Sequence, residues 1–311
     1  VELYAPSFIP PDTIDARQHP ARSARLSVDA DTFVGNFDKR PFYVRHELAD
    51  HPLLQLPAIA ALSQRLPENL REWNTEKAGA LAFTRPDTLK THHLSCHDTI
   101  LRVAEEPARV LLLQIEHDPL YKRLVDELLE SIEPLSERMR PGMWQRQGFL
   151  FISSRSALTP FHFDPEYNFL LQISGRKTIF MWDPANRYVL PAAAIDDYYA
   201  GFGRDPRYSN REHAYRDEFM ASAWRLPMEA GQGVHFPLHA PHAVMTESDV
   251  SISLSITFRT RRSKFHAMVH GANAHVRRHG IEPPAPGTSR LWDAVANFGY
   301  RAARKAGAFL A

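Results

Sequence analysis

The sequence predicts a mainly β protein with flanking helices, built around an antiparallel sandwich or barrel. Three observations predict it. From Met143 onward, short aromatic and β-branched runs are separated by Gly, Pro and Asp, the pattern of strands joined by turns. One of these runs, "SISLSITFRT", sets Ile252, Leu254, Ile256 and Phe258 against Ser251, Ser253, Ser255 and Thr257 with period two. One face is therefore apolar and the other carries small hydroxyls, which suit the inside of a barrel with a polar pocket better than a solvent-facing surface. Helical periodicity is found on the two flanks of this region.

Taken in order, residues 1–30 read as an irregular arm, because the prolines of "PSFIPPDTIDARQHPARS" interrupt helix and sheet alike. Residues 31–140 read as an α/β region that flanks the barrel and contributes strands to it. Here "RPFYVRHEL" predicts a short strand, "LPAIAALSQRL" a short amphipathic helix and "ARVLLLQIEH" a buried strand. "PLYKRLVDELLESIEPLSERM" spaces Leu120, Leu124, Val125, Leu128, Leu129 and Ile132 for a helix. Residues 141–262 form the expected barrel core, from "WQRQGFLFISS", "YNFLLQIS", "KTIFMWDP", "GVHFP", "HAVMTE" and "SISLSITFRT". Residues 187–231 interrupt it as an insertion rich in Tyr, Arg and Asp, either a substrate lid or a solvated surface excursion. Residues 263–311 are expected to be helical, with Leu291, Trp292, Val295, Phe298 and Ala302 on one side of the last helix.

The chain has 311 residues, enough for one large domain or two small ones. Lys plus Arg number 37 against 36 for Asp plus Glu, so there is no basic footprint and no nucleic-acid partner is expected. No apolar run has bilayer-spanning length and no charged-then-apolar leader opens the chain, so no membrane partner is expected. The lone Cys96 allows no intrachain disulfide and fits a reducing, cytoplasmic compartment. Sixteen histidines invite a search for metal ligands.

The search converges on "TPFHFDPEYNFLLQISGRK". His162 and Asp164 are two apart, so in extended chain both point to one face. An imidazole and a carboxylate together suit a divalent first-row metal, and two His with one carboxylate leave three positions open. The third ligand is sought in "GVHFPLHAPHAV", which offers His235, His239 and His242. His92, His93, Cys96 and His97 form a second compact cluster, read as structural or surface for want of a partner cluster with ligand spacing. "RTRRSK" from Arg259 reads as a solvated strand end that could also meet an acidic group.

The stretch "LTPFHFDPEYNFLLQISGRKTIFMWDP" resembles the core of the JmjC-type, cupin-like 2-oxoglutarate oxygenases, above all the branch that holds the asparaginyl hydroxylase acting on hypoxia-inducible factor. That branch reads Thr-Pro-x-His-x-Asp, with an Asn four residues and a Lys thirteen residues beyond the Asp. Thr159, Pro160, His162, Asp164, Asn168 and Lys177 stand at those spacings, and the distal His of the family, which follows a Pro, falls at His242 after Pro237. The resemblance covers residues 146–259. It implies a double-stranded β-helix (jelly-roll or cupin) barrel in which His162, Asp164 and His242 bind Fe(II). It also implies that Lys177 pairs with the distal carboxylate of 2-oxoglutarate, that Thr159 gives the same carboxylate a hydroxyl, and that Asn168 sits near the metal. Two departures stand out. The branch has an Asn on its last strand near the cosubstrate where this chain has Thr257, and the turn before the distal His lacks the family's aromatic residue.

The implied activity is an Fe(II)- and 2-oxoglutarate-dependent dioxygenase, a hydroxylase that uses O2 and converts 2-oxoglutarate to succinate while oxidising a small-molecule or peptide/protein substrate. A metal-dependent cupin that does not use 2-oxoglutarate is one competing reading, and it leaves Lys177 without a task. A non-catalytic barrel used for binding is the other, and it leaves the triad without one. In relatives the C-terminal helices form a homodimer; here the apolar stripe implies either that contact or packing against the chain's own barrel.

Overall fold

The computed structural model describes residues 24–74, 94–202 and 215–307. Two antiparallel sheets face one another. The larger contains β1 (Phe42–Arg45), β2 (Arg71–Asn74), β3 (Arg109–Leu112), β4 (Trp144–Ser154), β6 (Tyr167–Ser174), β9 (Gln232–Phe236) and β11 (Val250–Arg259), and the smaller β5 (Leu158–His162), β7 (Arg176–Met181), β8 (Trp224–Glu229) and β10 (His242–Thr246). Their spatial orders are β1-β9-β6-β11-β4-β3-β2 and β5-β10-β7-β8. From β4 onward the chain passes back and forth between the two sheets, so four strands of each wind together as a double-stranded β-helix, a jelly roll. The fold class expected from the sequence is the one observed, and β1, β2 and β3 extend the larger sheet from the N-terminal half.

The main apolar core lies outside the barrel. Ile252, Leu254, Ile256 and Phe258 of β11 and Leu150 and Ile152 of β4 turn away from the barrel and are buried. They join one cluster with side chains of four helices, α1 (Ala30–Asn36), α2 (Leu56–Arg65), α3 (Cys96–Leu101) and α4 (Pro119–Met139). Leu124, Val125, Leu128, Leu129 and Ile132 of α4 are buried there, as their spacing predicts, with Leu120 only partly covered. Asp118 caps that helix by accepting from Leu120 N and Tyr121 N, with Pro119 at its first position. The other face of β11 is also buried: Ser251, Ser253, Ser255 and Thr257 all lie inside the barrel. A hydroxyl ladder results, in which Ser253 Oγ donates to Gln172 Oε1 at 2.7 Å and Gln172 Nε2 donates to Ser251 Oγ at 2.8 Å.

Three expectations change. The insertion expected over residues 187–231 is shorter, because Trp224–Glu229 forms β8. Its charged Arg225 and Glu229 and its Pro227 masked the strand pattern; a proline is tolerated there because β8 pairs with β7 alone, at the edge of the smaller sheet. What remains holds α5 (Ala192–Ala200). The basic run from Arg259 is a strand end that is solvated only in part: Arg259 closes β11 and pairs with Glu166, and Thr260 and Ser263 cap each other at the start of α6 (Arg261–Arg278). Finally, the last helix, α7 (Arg290–Lys305), packs with its polar side inward. Asp293, Asn297 and Tyr300 are buried together with Ala296, while Leu291, Val295 and Phe298 are 78%, 59% and 78% exposed. The apolar stripe therefore does not pack on its own barrel. Of the N-terminal arm expected over residues 1–30, residues 1–23 lie outside the described residues; Ser27 bridges Arg45, and Asp29 caps α1.

Candidate metal centre

The two histidines are brought together by sheet register. β5 and β10 are antiparallel neighbours, and His162 lies opposite His242, with a bulge following between His242 and Val244. Their ring centroids are 4.1 Å apart. Asp164 lies just past the end of β5, in the connection to β6, and its backbone carbonyl is held by the amide of His239 at 3.2 Å. His162 Nε2 is 3.7 Å from Asp164 Oδ1 and His242 Nε2 is 3.8 Å from Asp164 Oδ2, and one ligand atom from each residue lies within 4.8 Å of the others. Among the described residues this is the one such cluster of three.

The surroundings prepare these groups to bind a cation. His162 Nδ1 is 2.7 Å from the Pro160 carbonyl and His242 Nδ1 is 3.0 Å from the Ala240 carbonyl. A carbonyl only accepts, so each Nδ1 carries the proton and each Nε2 turns a lone pair toward Asp164. Burial, reinforced by the neighbouring His162, pushes His242 down to about 4, so it is neutral and able to ligate at neutral pH. Asn168 Nδ2 donates to Asp164 Oδ2 at 2.8 Å, and Ser255 Oγ donates to Asn168 Oδ1 at 2.7 Å. The carboxylate is thus oriented by a neutral chain of donors, the kind of outer support that metal ligands use. Two imidazoles and one carboxylate, each with a free donor atom, fit a divalent first-row cation with open positions.

The triad opens onto a cavity of about 430 Å³ between the sheets, and His162, Asp164, His242, Thr159, Asn168, Lys177, Ser255 and Thr257 all line it. The triad and the four residues singled out for the cosubstrate, Thr159, Asn168, Lys177 and Thr257, thus reach one space. Lys177 is 4% exposed, lies 5.6 Å from the Phe151 ring centroid, and has no acidic partner among the described residues. Burial, with a smaller contribution from the charge of Arg109, pushes it down to about 7. The hydroxyl of Thr257 is buried and has no hydrogen-bond partner among the described residues. An orphaned ammonium and an orphaned hydroxyl in one cavity are costly to the protein alone, and both are groups that a bound carboxylate-bearing molecule would satisfy.

The rival histidines go elsewhere. His235 lies among Phe37, Phe42 and Phe169, with Nε2 2.8 Å from the Phe37 carbonyl. His239 has a left-handed backbone, φ 63°, and meets the Tyr199 hydroxyl at 2.8 Å through Nε2. In the second cluster, His92 and His93 lie outside the described residues, Cys96 is buried, and His97 contacts Asp98. Sequence reasoning missed Arg109 and Tyr198, which also line the cavity. Arg109 opens an apolar run that reads as a buried strand, and Tyr198 comes from α5, where the helix of the insertion supplies a wall.

A jelly roll with a metal-ready His-Asp-His triad inside its barrel is the class that fold and site define. No family model matches the chain, and no curated protein matches it. Among solved structures, the X-ray structure of E. coli ycfD aligns over 89% of this chain and 67% of that one, with 13% identity and a TM-score of 0.49. YcfD described as a ribosomal oxygenase from Escherichia coli, in complex with cobalt and 2-oxoglutarate, aligns over 89% and 67% with 11% identity and a TM-score of 0.46. Its complex with cobalt and succinic acid aligns over the same shares, with 12% identity and a TM-score of 0.45. This chain spans about two thirds of the length of those structures.

Proposed function

We propose that this protein is an Fe(II)- and 2-oxoglutarate-dependent oxygenase, a hydroxylase of a small-molecule or peptide/protein substrate. The observation that carries the reading is the meeting of the His162–Asp164–His242 triad and the buried, acid-free ammonium of Lys177 in one cavity. A plain metal cupin has no use for Lys177, and a binding scaffold has no use for the triad.

In this reading His162, Asp164 and His242 hold Fe(II). When bound, the metal supplies O2 chemistry that couples oxidative decarboxylation of 2-oxoglutarate to succinate with oxidation of substrate. The chain's own residues do the rest. Lys177 donates to the distal carboxylate of 2-oxoglutarate, with Thr159 as a second donor and the unpartnered Thr257 hydroxyl within the same cavity. Asn168 and Ser255 keep Asp164 aimed. Phe149, Phe151, Phe163 and Phe236 line the cavity with apolar surface and keep water from it. Tyr198 of α5 stands at the same cavity, so the insertion serves as a substrate wall. The exposed stripe of α7 serves as a homodimer contact, and the buried lone Cys96 supports a reducing, cytoplasmic setting.

The test is anaerobic absorbance of the Fe(II)-loaded protein before and after adding 2-oxoglutarate. A weak visible charge-transfer band is expected in the wild type, absent in His162→Ala, and requiring much more 2-oxoglutarate in Lys177→Ala. Iron bound without a band in the wild type overturns the 2-oxoglutarate assignment, and no iron bound overturns the enzyme reading altogether.

A further inference from the structure

We propose that Arg109 is a second cation of the 2-oxoglutarate subsite, closing on the distal carboxylate from the larger sheet while Lys177 closes on it from the smaller. The inference rests on the oxygenase reading and adds to it a residue outside the resembling stretch. Along β3, Val110 and Leu112 are fully buried in the apolar core, so strand alternation turns Arg109 and Leu111 inward. Both line the main cavity. Arg109 also lines a small recess that continues this space, together with Thr159, Lys177, Ser153 and Thr246.

The two cations are held at a set separation by the fold. Arg109 pairs in register with Ser153 of β4, and Lys177 with Thr246 of β10. Ser153 Oγ and Thr246 Oγ1 are hydrogen-bonded to each other at 3.0 Å, across the gap between the sheets. The strands bearing Arg109 and Lys177 are therefore tied together through their immediate neighbours. The acidic residues that line the cavity are Asp164, at the triad, and Glu166, which Arg259 already neutralises. Among the described residues the Arg109–Lys177 end holds two positive groups and no negative one. Like charges drawn together in a buried space oppose each other, and the charge of Arg109 is felt at Lys177. A carboxylate placed between them removes that opposition, and a guanidinium offers it two parallel donors where an ammonium offers a point charge.

The test is titration calorimetry of the Mn(II)-loaded protein with 2-oxoglutarate, and with pyruvate, which keeps the keto acid and lacks the distal carboxylate. Arg109→Met should weaken 2-oxoglutarate binding by about tenfold or more, leaving the Mn(II) and pyruvate affinities as they were. A second signature is the pH profile. Binding needs a charged Lys177, so in the wild type affinity starts to fall as pH rises above about 7. Removing the neighbouring positive charge raises the value for Lys177, so the fall should begin at higher pH in Arg109→Met. An unchanged ratio of 2-oxoglutarate to pyruvate affinity, with an unchanged profile, overturns the proposal. Should Arg109→Met also lose Mn(II), Arg109→Gln is measured in its place: a lowered ratio supports the proposal and an unchanged one overturns it. A wild type that binds Mn(II) and pyruvate but not 2-oxoglutarate overturns the oxygenase reading itself, and this proposal with it.

Discussion

Lys177 is an ammonium that the fold holds at a cost. Its value in the folded protein is about 7, against an ordinary 10.5. The unfolded chain therefore binds more protons between those two values, and stability rises with pH across that window and is lowest below it. Lys177→Met should raise the stability of the metal-free protein at neutral pH by about 1–4 kcal/mol and flatten that slope. On the oxygenase reading the same substitution should sharply weaken 2-oxoglutarate binding, so thermal melts over a pH series and a binding titration should move in opposite directions. A variant that is less stable and still binds would make Lys177 a structural residue. At this scale the triad was legible, because two ligands lie two apart and the third follows a proline turn. Arg109 was not, since one charged residue before "VLLL" looks like a strand end, and only pairing with β4 shows which way it points. Asn168 was read as lying near the metal; its contact with the carboxylate of Asp164 is a side-chain detail that spacing does not carry.

The connection between β6 and β7, which crosses from the larger sheet to the smaller, turns on the single residue Gly175, at φ +76°. A side chain there meets a wall: a Cβ would lie 2.2 Å from the Val250 carbonyl oxygen and 2.2 Å from Ser248 Oγ. Gly175→Ala should destabilise the protein by about 2 kcal/mol or more, through backbone strain and this clash, read from denaturant unfolding. Because Lys177 lies two residues on, the surviving folded protein should also bind 2-oxoglutarate more weakly. Elements with a strong period were readable from the chain: β11 with its alternating hydroxyls, and α4 with its apolar stripe. β8 was not, because an edge strand needs neither apolar alternation nor every donor. The orientation of α7 was not readable either. Its apolar stripe gave the helix correctly, but the face turned inward is the one carrying Asp293, Asn297 and Tyr300. Asn297 Nδ2 donates to the Phe265 carbonyl on α6, and the Gly287 amide donates to Asp293 Oδ2, bonds that an apolar face could not make.

Across the whole molecule, the division of labour is spatial. The largest apolar cluster sits between the larger sheet and the helices, so the barrel can keep polar groups inside without being the main source of stability. The exposed face of α7 lies apart from the cavity. On the homodimer reading, Phe298→Glu combined with Leu291→Glu places charges in a contact that would otherwise be dry, which should halve the mass seen by light scattering at micromolar concentration. A wild type that is monomeric there rules out the contact. The overall architecture was legible from strand punctuation and the hydroxyl face, whereas the placement of the main core outside the barrel depends on which sheet face the helices cover, and no local pattern states that.

The strand that carries His162 lies at one edge of its sheet. β5 is five residues long and pairs with β10 alone. A short border strand held along one side is the part of a sheet that opens most readily by local unfolding. A cation shared by His162 and His242 would cross-link that border to its neighbour, and Asp164 would fasten the chain just beyond it. Metal loading should therefore slow amide hydrogen exchange over residues 158–162 more than over the central strands β6 and β11. On the oxygenase reading the ion would then act as a mechanical fastener as well as a reagent, and the emptied protein would lose order first at the place proposed for its chemistry.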